Sequence, residues 1–270
     1  MNQRSLRKQL RKRYLEQIAR IEPLSARDLA ATALVFSPHQ DDETLGCGGT
    51  IIRKRFAGAD LKIVFMTDGS RSHHHFIPED KLIALRQQEA VKAAQTLNVA
   101  AEDVVFFGFR DGDLQQSSER AIALVRELLN QNQPQQVFIP YVGETHPDHL
   151  ATNQIVLAAL KDHTSIAVYE YPVWYWHHFP WTGTGDRDSR LAYLKASIKA
   201  KLGWRMIQEF NYRVAIEPVK SQKQLALAQH QTQMKRLTDD PDWGLLQDVS
   251  NGEWLECFFQ SNEIFRRIVI

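Results

Sequence analysis

Five short apolar runs, each bounded by turn residues, alternate with longer stretches of helical period, and no other feature constrains the fold as strongly. The runs are Leu34 to Ser37, Leu61 to Met66, Val104 to Phe109, Gln136 to Tyr141 and Ile166 to Tyr171; helical patterns occupy about 43–56, 79–97, 118–130 and 147–161 between them. Strand, helix, strand at this spacing requires right-handed crossovers and a parallel sheet covered on both faces. The expected fold class is therefore α/β, with a doubly wound, mostly parallel sheet of Rossmann-like type whose ligands sit beyond the carboxyl ends of the strands. After about residue 172 the rhythm changes to an aromatic stretch (Tyr171 to Trp181), a polar loop (Thr182 to Ser189), a mixed segment to Pro218, one helix from about Ser221 to Leu237, and short apolar pieces including Ile264 to Ile270. This organisation predicts a basic helical segment over 1–30 and a single domain over 31–270, with its core at 31–172 and an appended C-terminal part at 173–270.

Composition narrows the classes further. An apolar content of 43% in 270 residues closes a sizeable core, and a formal charge of +1 excludes a general nucleic-acid polycation. Six bases between Arg4 and Arg13 precede the first acid, Glu16, so the basic segment reads as a solvated helix face, with weak contact to an anionic membrane surface as the alternative. Two cysteines make no disulfide framework, and neither a signal peptide nor a membrane span is recognisable, so a cytoplasmic location is expected. A homo-oligomer stays open.

Two clusters carry chemistry. Ser37-Pro-His-Gln-Asp-Asp-Glu43 lies where the first strand ends and the first helix begins, bringing His39, Asp41 and Asp42 together in four positions. Helix capping and the helix dipole account for acids at 41–43 without any metal, so both readings stand for this loop alone. His146-Pro-Asp-His149 follows the fourth strand and opens a helix, with Pro147 suited to its first turn. Two such clusters on one sheet edge favour a metal, because His39, Asp42 and His149 supply three zinc ligands and leave a position for water.

The stretch Pro38 to Thr50 (PHQDDETLGCGGT) together with His146-Pro-Asp-His149 resembles the PIG-L, or LmbE-like, family of zinc-dependent de-N-acetylases. Thr67-Asp68-Gly69, Arg86 with Glu89, the pattern Lys223, Ala226, Leu227, His230, Gln233, and Glu263-Ile264-Phe265 extend the likeness over about residues 34 to 265. Gln40 stands where the family normally has proline, and Glu144 where an aspartate is common. The resemblance implies zinc on His39, Asp42 and His149, Asp41 as general base, and His146 as oxyanion stabiliser or acid, an imidazole cationic near neutral pH. It also implies an N-acetylglucosaminyl-type substrate, free or on a larger aglycone. Cleavage of another amide in a sugar-thiol conjugate and non-catalytic zinc or sugar binding are the alternatives.

Lesser candidates follow. Asp148 either orients a histidine or is an ordinary first-turn acid. Glu43 and His230 are candidates from their motifs, and Arg71, Arg110 and Asp111 from the rim. Arg86 and Glu89 are by spacing a surface pair, while the resemblance makes them a buried brace. Trp174 and Trp176 suit sugar stacking, although core packing of the aromatic stretch is the stronger expectation. His73, His74 and His75 read as a mobile polar loop. Gly46, Gly48 and Gly49 lack the G-x-G-x-x-G order and read as close helix–sheet packing rather than a dinucleotide site.

Overall fold

A computed structural model describes residues 3–163, 165–185 and 189–268. The side chain of Arg4, positions 186–188 of the polar loop and 269–270 of the closing apolar piece lie outside the described residues. The strands are β1 (Glu22–Pro23), β2 (Ala33–Ser37), β3 (Leu61–Thr67), β4 (Val104–Phe109), β5 (Gln136–Pro140), β6 (Ala167–Tyr171), β7 (Tyr212–Ala215) and β8 (Asn262–Ile268). The helices are α1 (Gln3–Ile18), α2 (Ala26–Ala30), α3 (Asp42–Phe56), α4 (Glu79–Thr96), α5 (Ser118–Asn132), α6 (Pro147–Ala159), α7 (Arg190–Lys199), α8 (Trp204–Glu209), α9 (Lys220–Leu227), α10 (Gln231–Met234) and α11 (Glu253–Glu256).

One eight-stranded sheet runs β1-β7-β8-β6-β5-β2-β3-β4. Strands β2 to β6 are parallel, and β8 enters antiparallel to both β6 and β7. Alternate residues of each central strand fall into different apolar clusters. Val35, Ile63 and Phe65 join one with α3, α4 and α9; Leu34, Phe36, Val64 and Met66 join another with α5 and α6. This is the covered double face that the continuous apolar runs predict.

Close approach sets the glycine positions of α3. A Cβ on Gly46 would lie 2.2 Å from the ring of fully buried Tyr171, whose hydroxyl donates to the Phe36 carbonyl at 2.7 Å. Gly46→Ala is expected to cost about 1–3 kcal/mol by overpacking, read as a lower urea midpoint at unchanged slope.

The C-terminal sequence departs from expectation in two places. The mixed segment before Pro218 contains α7, α8 and β7, and the closing apolar piece is β8, so both extend the same sheet. The helix expected from Ser221 to Leu237 breaks at His230, where ψ is 65°. Buried Glu89 on α4 explains the break: its carboxylate accepts the Thr232 backbone N–H at 3.0 Å and the Thr232 hydroxyl at 2.7 Å. Nor is the basic face of α1 wholly solvated, since Arg7 pairs with Glu253 and Arg11 lies 3.7 Å from Glu256. Among the described residues no helix is long and apolar enough to cross a membrane.

Candidate active site

The sheet order changes direction between β2 and β5, since β3 and β4 follow on one side and β6 on the other. A crevice opens at such a switch point. The loops after β2 and β5 carry the two histidine–acid clusters and meet there. Asp42 Oδ2 lies 3.1 Å from His39 Nδ1 and 3.2 Å from His149 Nε2, so one carboxylate oxygen sits between two imidazole nitrogens. The rings of His39, His146 and His149 offer nitrogens within 4.8 Å of one another.

His149 is fully buried, and neither of its ring nitrogens makes an aligned hydrogen bond. A buried orphan of that kind is costly unless something else takes the nitrogen. Burial alone would lower the pKa of His149, but Asp42 and Glu144 raise it to about 9. Burial likewise opposes protonation of His39, which hydrogen bonds to Asp111, Asp148 and Asp42 raise well above the ordinary value. Against burial, the two histidines hold the Asp42 carboxyl far below its usual range. Three such donors held together by mutual charge are what a divalent cation would replace a proton to bind.

The loop that presents Asp41 is held from several sides. Asp41 has φ 138°, a costly conformation for a residue other than glycine, and begins α3 without capping it through its side chain. Its backbone N–H donates to Glu43 Oε2 at 3.0 Å, and Glu43 also contacts Ser37, Thr44 and, at 3.4 Å, His230 Nε2. Gln40, in place of the family's proline, ties the loop through Nε2 to the Thr67 carbonyl at 2.9 Å. Arg86 is buried rather than paired with Glu89 on a surface; it donates to the Gln40 carbonyl at 2.6 Å and sits 3.6 Å from Asp41 Oδ2. Burial and the negative charge of Asp42 push Asp41 up to about 7, opposed by Arg86. Simple capping therefore does not account for this carboxylate.

Asp148 does more than serve as a first-turn acid. Its Oδ2 is 3.2 Å from His39 Nε2 and accepts the Gly112 N–H at 2.7 Å, while Oδ1 accepts the Leu114 N–H at 3.2 Å. Asp111, on the loop after β4, reaches the same His39 nitrogen at 3.3 Å, a closer role than a rim position implies. Glu144 Oε2 lies 3.4 Å from His149 Nδ1, and its carboxylate accepts the N–H groups of Val173, Trp174 and Tyr175 at 2.7, 2.7 and 3.2 Å. The longer acid thereby joins a histidine of the cluster to the aromatic segment.

His146 differs from expectation. It does cap α6, its Nδ1 accepting the Asp148 N–H at 3.3 Å, which leaves the hydrogen on Nε2. Burial and the neighbouring His39 and His149 charges hold its pKa down to about 4, so the imidazole is neutral, not cationic, near pH 7.

A cavity of about 240 Å³ opens over these groups, lined by Asp41, Asp42, Arg86, Asp111 and His146 among others. Arg71 reaches its edge, whereas Arg110 lies on the surface near Glu79 and Asp113 and does not line it. Trp174 lines the cavity, stacked on Trp254 at 4.7 Å; Trp176 is buried edge-on against Trp181 and stays away. His73, expected on a mobile polar loop, is buried, stacked on Trp243 at 4.3 Å with Nε2 3.0 Å from the Gly244 carbonyl. Leu246 and Trp254 complete the wall from the C-terminal part, where no local motif marks them; Gln233 also lines it and belongs to the Lys223–Gln233 pattern.

A family model described as PIG-L, GlcNAc-PI de-N-acetylase, matches residues 34–160. Among curated proteins, the Bacillus subtilis (strain 168) protein named "Probable N-acetyl-alpha-D-glucosaminyl L-malate deacetylase 2" is 29% identical over 133 residues, 47% of this chain and 59% of that protein. The 1D-myo-inositol 2-acetamido-2-deoxy-alpha-D-glucopyranoside deacetylase of Mycobacterium sp. (strain KMS) is 28% identical over 204 residues, 63% of this chain and 64% of that protein. The chain thus spans about six tenths of the length of these relatives. In fold it is similar to N,N'-diacetylchitobiose deacetylase from Pyrococcus horikoshii, with a TM-score of 0.60 at 22% identity over 88% of this chain and 84% of that one. It is also similar to GalB, the 4-carboxy-2-hydroxymuconate hydratase from Pseudomonas putida KT2440, with a TM-score of 0.59 at 14% identity over 89% and 96%. Residues 34–160, which carry both histidine–acid clusters, are thus the part of the chain that matches the PIG-L family model.

Proposed function

We propose that the chain is a zinc-dependent hydrolase that removes acetate from an N-acetylated amino sugar of N-acetylglucosaminyl type, free or on a larger aglycone. The observation that carries this reading is that Asp42 Oδ2 lies between His39 Nδ1 and buried, otherwise unsatisfied His149, with Asp41 and His146 lining the same cavity. His39, Asp42 and His149 would hold the ion. Bound there with an open position, zinc supplies a Lewis acid that polarises an amide carbonyl and lowers the pKa of water.

The chain's own groups account for the rest. Asp41, with Arg86 beside it favouring the ionised form, takes the proton of the attacking water as general base, and that proton leaves with the departing amine. His146 presents Nε2–H to the carbonyl oxygen as it gains charge. Trp174 on Trp254 offers a flat apolar wall suited to a sugar ring. The relatives' printed names are all of sugar N-deacetylases, which supports the substrate class; the hydratase of similar fold shows why fold alone does not carry it. Acetate and free amine measured together on N-acetylglucosaminyl compounds test the reading. Equal amounts are expected, and free amine without acetate would point instead to another amide, as in a sugar-thiol conjugate.

Loss of an oxyanion donor costs on the order of 10² to 10³ in kcat. His146→Ala is expected to lower kcat and kcat/KM by similar factors of that size, with metal content unchanged. Because His146 is neutral above about pH 5, its pKa being about 4, removing it should not reshape the pH profile between about 6 and 9. A mutant that loses its metal, or an alkaline limb that vanishes with the histidine, would contradict this role.

A further inference from the structure

We propose that the outer face of α7, with Leu202 and Trp204 beyond it, docks on the surface of an anionic phospholipid bilayer. Leu191, Leu194, Ile198, Leu202 and Trp204 are between 46% and 65% exposed, a concentration of large apolar side chains seen on no other described helix. At 100° per residue Leu191, Leu194 and Ile198 form a single stripe along α7. Lys195 and Lys199 border that stripe on one side and Arg190 on the other. No acid occurs between Ser189 and Gln208. An apolar stripe edged by bases matches the boundary between acyl chains and acidic headgroups, where the leucines enter and the lysines meet phosphate and carboxylate.

The helix is fastened from behind, so the stripe is not a core face left open by a loose segment. On its inner side Ser197 Oγ accepts the Phe179 N–H at 3.0 Å, and the Tyr193 hydroxyl donates to the Thr182 carbonyl at 2.6 Å. Tyr14 of α1 donates to the Leu202 carbonyl at 3.3 Å, with its ring 6.3 Å from Trp204. Lys8, Lys12 and Arg13 are exposed on that neighbouring helix and add positive charge. A second copy of this chain is a poorer occupant, because a two-fold contact through α7 would set Lys195 and Lys199 against their own counterparts.

Sedimentation of the full chain with vesicles of phosphatidylcholine, with and without about 30% phosphatidylserine, tests the proposal directly. The chain is expected to pellet with the acidic vesicles and not with the neutral ones, and to be released by salt. Leu194→Asp with Ile198→Asp, and separately Lys195→Glu with Lys199→Glu, should each weaken binding by about tenfold or more. If a double variant fails to fold by circular dichroism, Ile198→Asp alone makes the same comparison at the most exposed position. Failure of the native chain to bind acidic vesicles, or equal binding by the variants, would overturn the proposal. So would a dimer that the Leu194 and Ile198 substitutions dissociate, since it would give the face to a second copy.

Discussion

Asp41→Asn is expected to leave the metal bound and to lower kcat by about 10² to 10⁴, the range for loss of a general base. Asparagine keeps the size and branching of the side chain and is no more restricted than aspartate at the φ of 138° here, so the loop should hold its shape. What disappears is a carboxylate on the cavity wall that burial and a neighbouring acid raise toward neutrality, to about 7. The wild type should lose activity as pH falls through or below that value, since a nearby cation adds to Arg86 in favouring the ionised form. Stability should move in the opposite direction from activity. A carboxyl whose folded pKa lies above its ordinary 3.8 is harder to ionise in the folded chain, so it costs stability increasingly from about pH 4 to about 7 and fully above. The metal-free Asp41→Asn chain should therefore melt higher than the wild type at pH 8, while Asp42→Asn, which breaks the link between two histidines, should weaken metal binding instead.

His149→Ala is expected to lose metal and activity together. Its imidazole is fully buried, and the substitution leaves Asp42 with one histidine instead of two and Glu144 without its ring neighbour. With two donors left of three, retention of a divalent ion at micromolar concentration is not expected. In the wild type the proton that the carboxylates hold on His149 must leave before the nitrogen can bind, so metal affinity should climb as pH rises toward about 9. Metal content by mass spectrometry, measured beside kcat for each mutant, separates this result from that of Asp41→Asn. Full metal content in His149→Ala would remove it from the ligand set.

The parallel core and the convergence of His39, Asp42 and His149 were legible because periodicity marks buried strands, and strand ends in this topology share one edge. Beyond residue 172 the signals weaken for identifiable reasons. Helical period runs unbroken through Ala228 to Thr232, and the buried Glu89 carboxylate, 143 residues away in sequence, interrupts it by taking the Thr232 N–H. By spacing alone Arg86 reads as a surface residue, and its burial beside the Asp41 loop is signalled only through the family resemblance. The charge state of His146 depends on its burial and on two neighbouring imidazoles, none of which its motif encodes. Trp254 and Leu246 reach the cavity from segments with no chemistry of their own, so nothing short of the folded chain assigns them.

The central claim is that a metal held by His39, Asp42 and His149 enables acetate removal from an N-acetylated amino sugar. The most direct measurement strips the purified chain with a chelator, adds zinc back in small steps, and follows acetate release from an N-acetylglucosaminyl compound. Activity should be absent after stripping, rise in proportion to zinc, and level off at about one zinc per chain, as a single three-ligand site requires. Acetate release that survives complete removal of the metal would contradict the account.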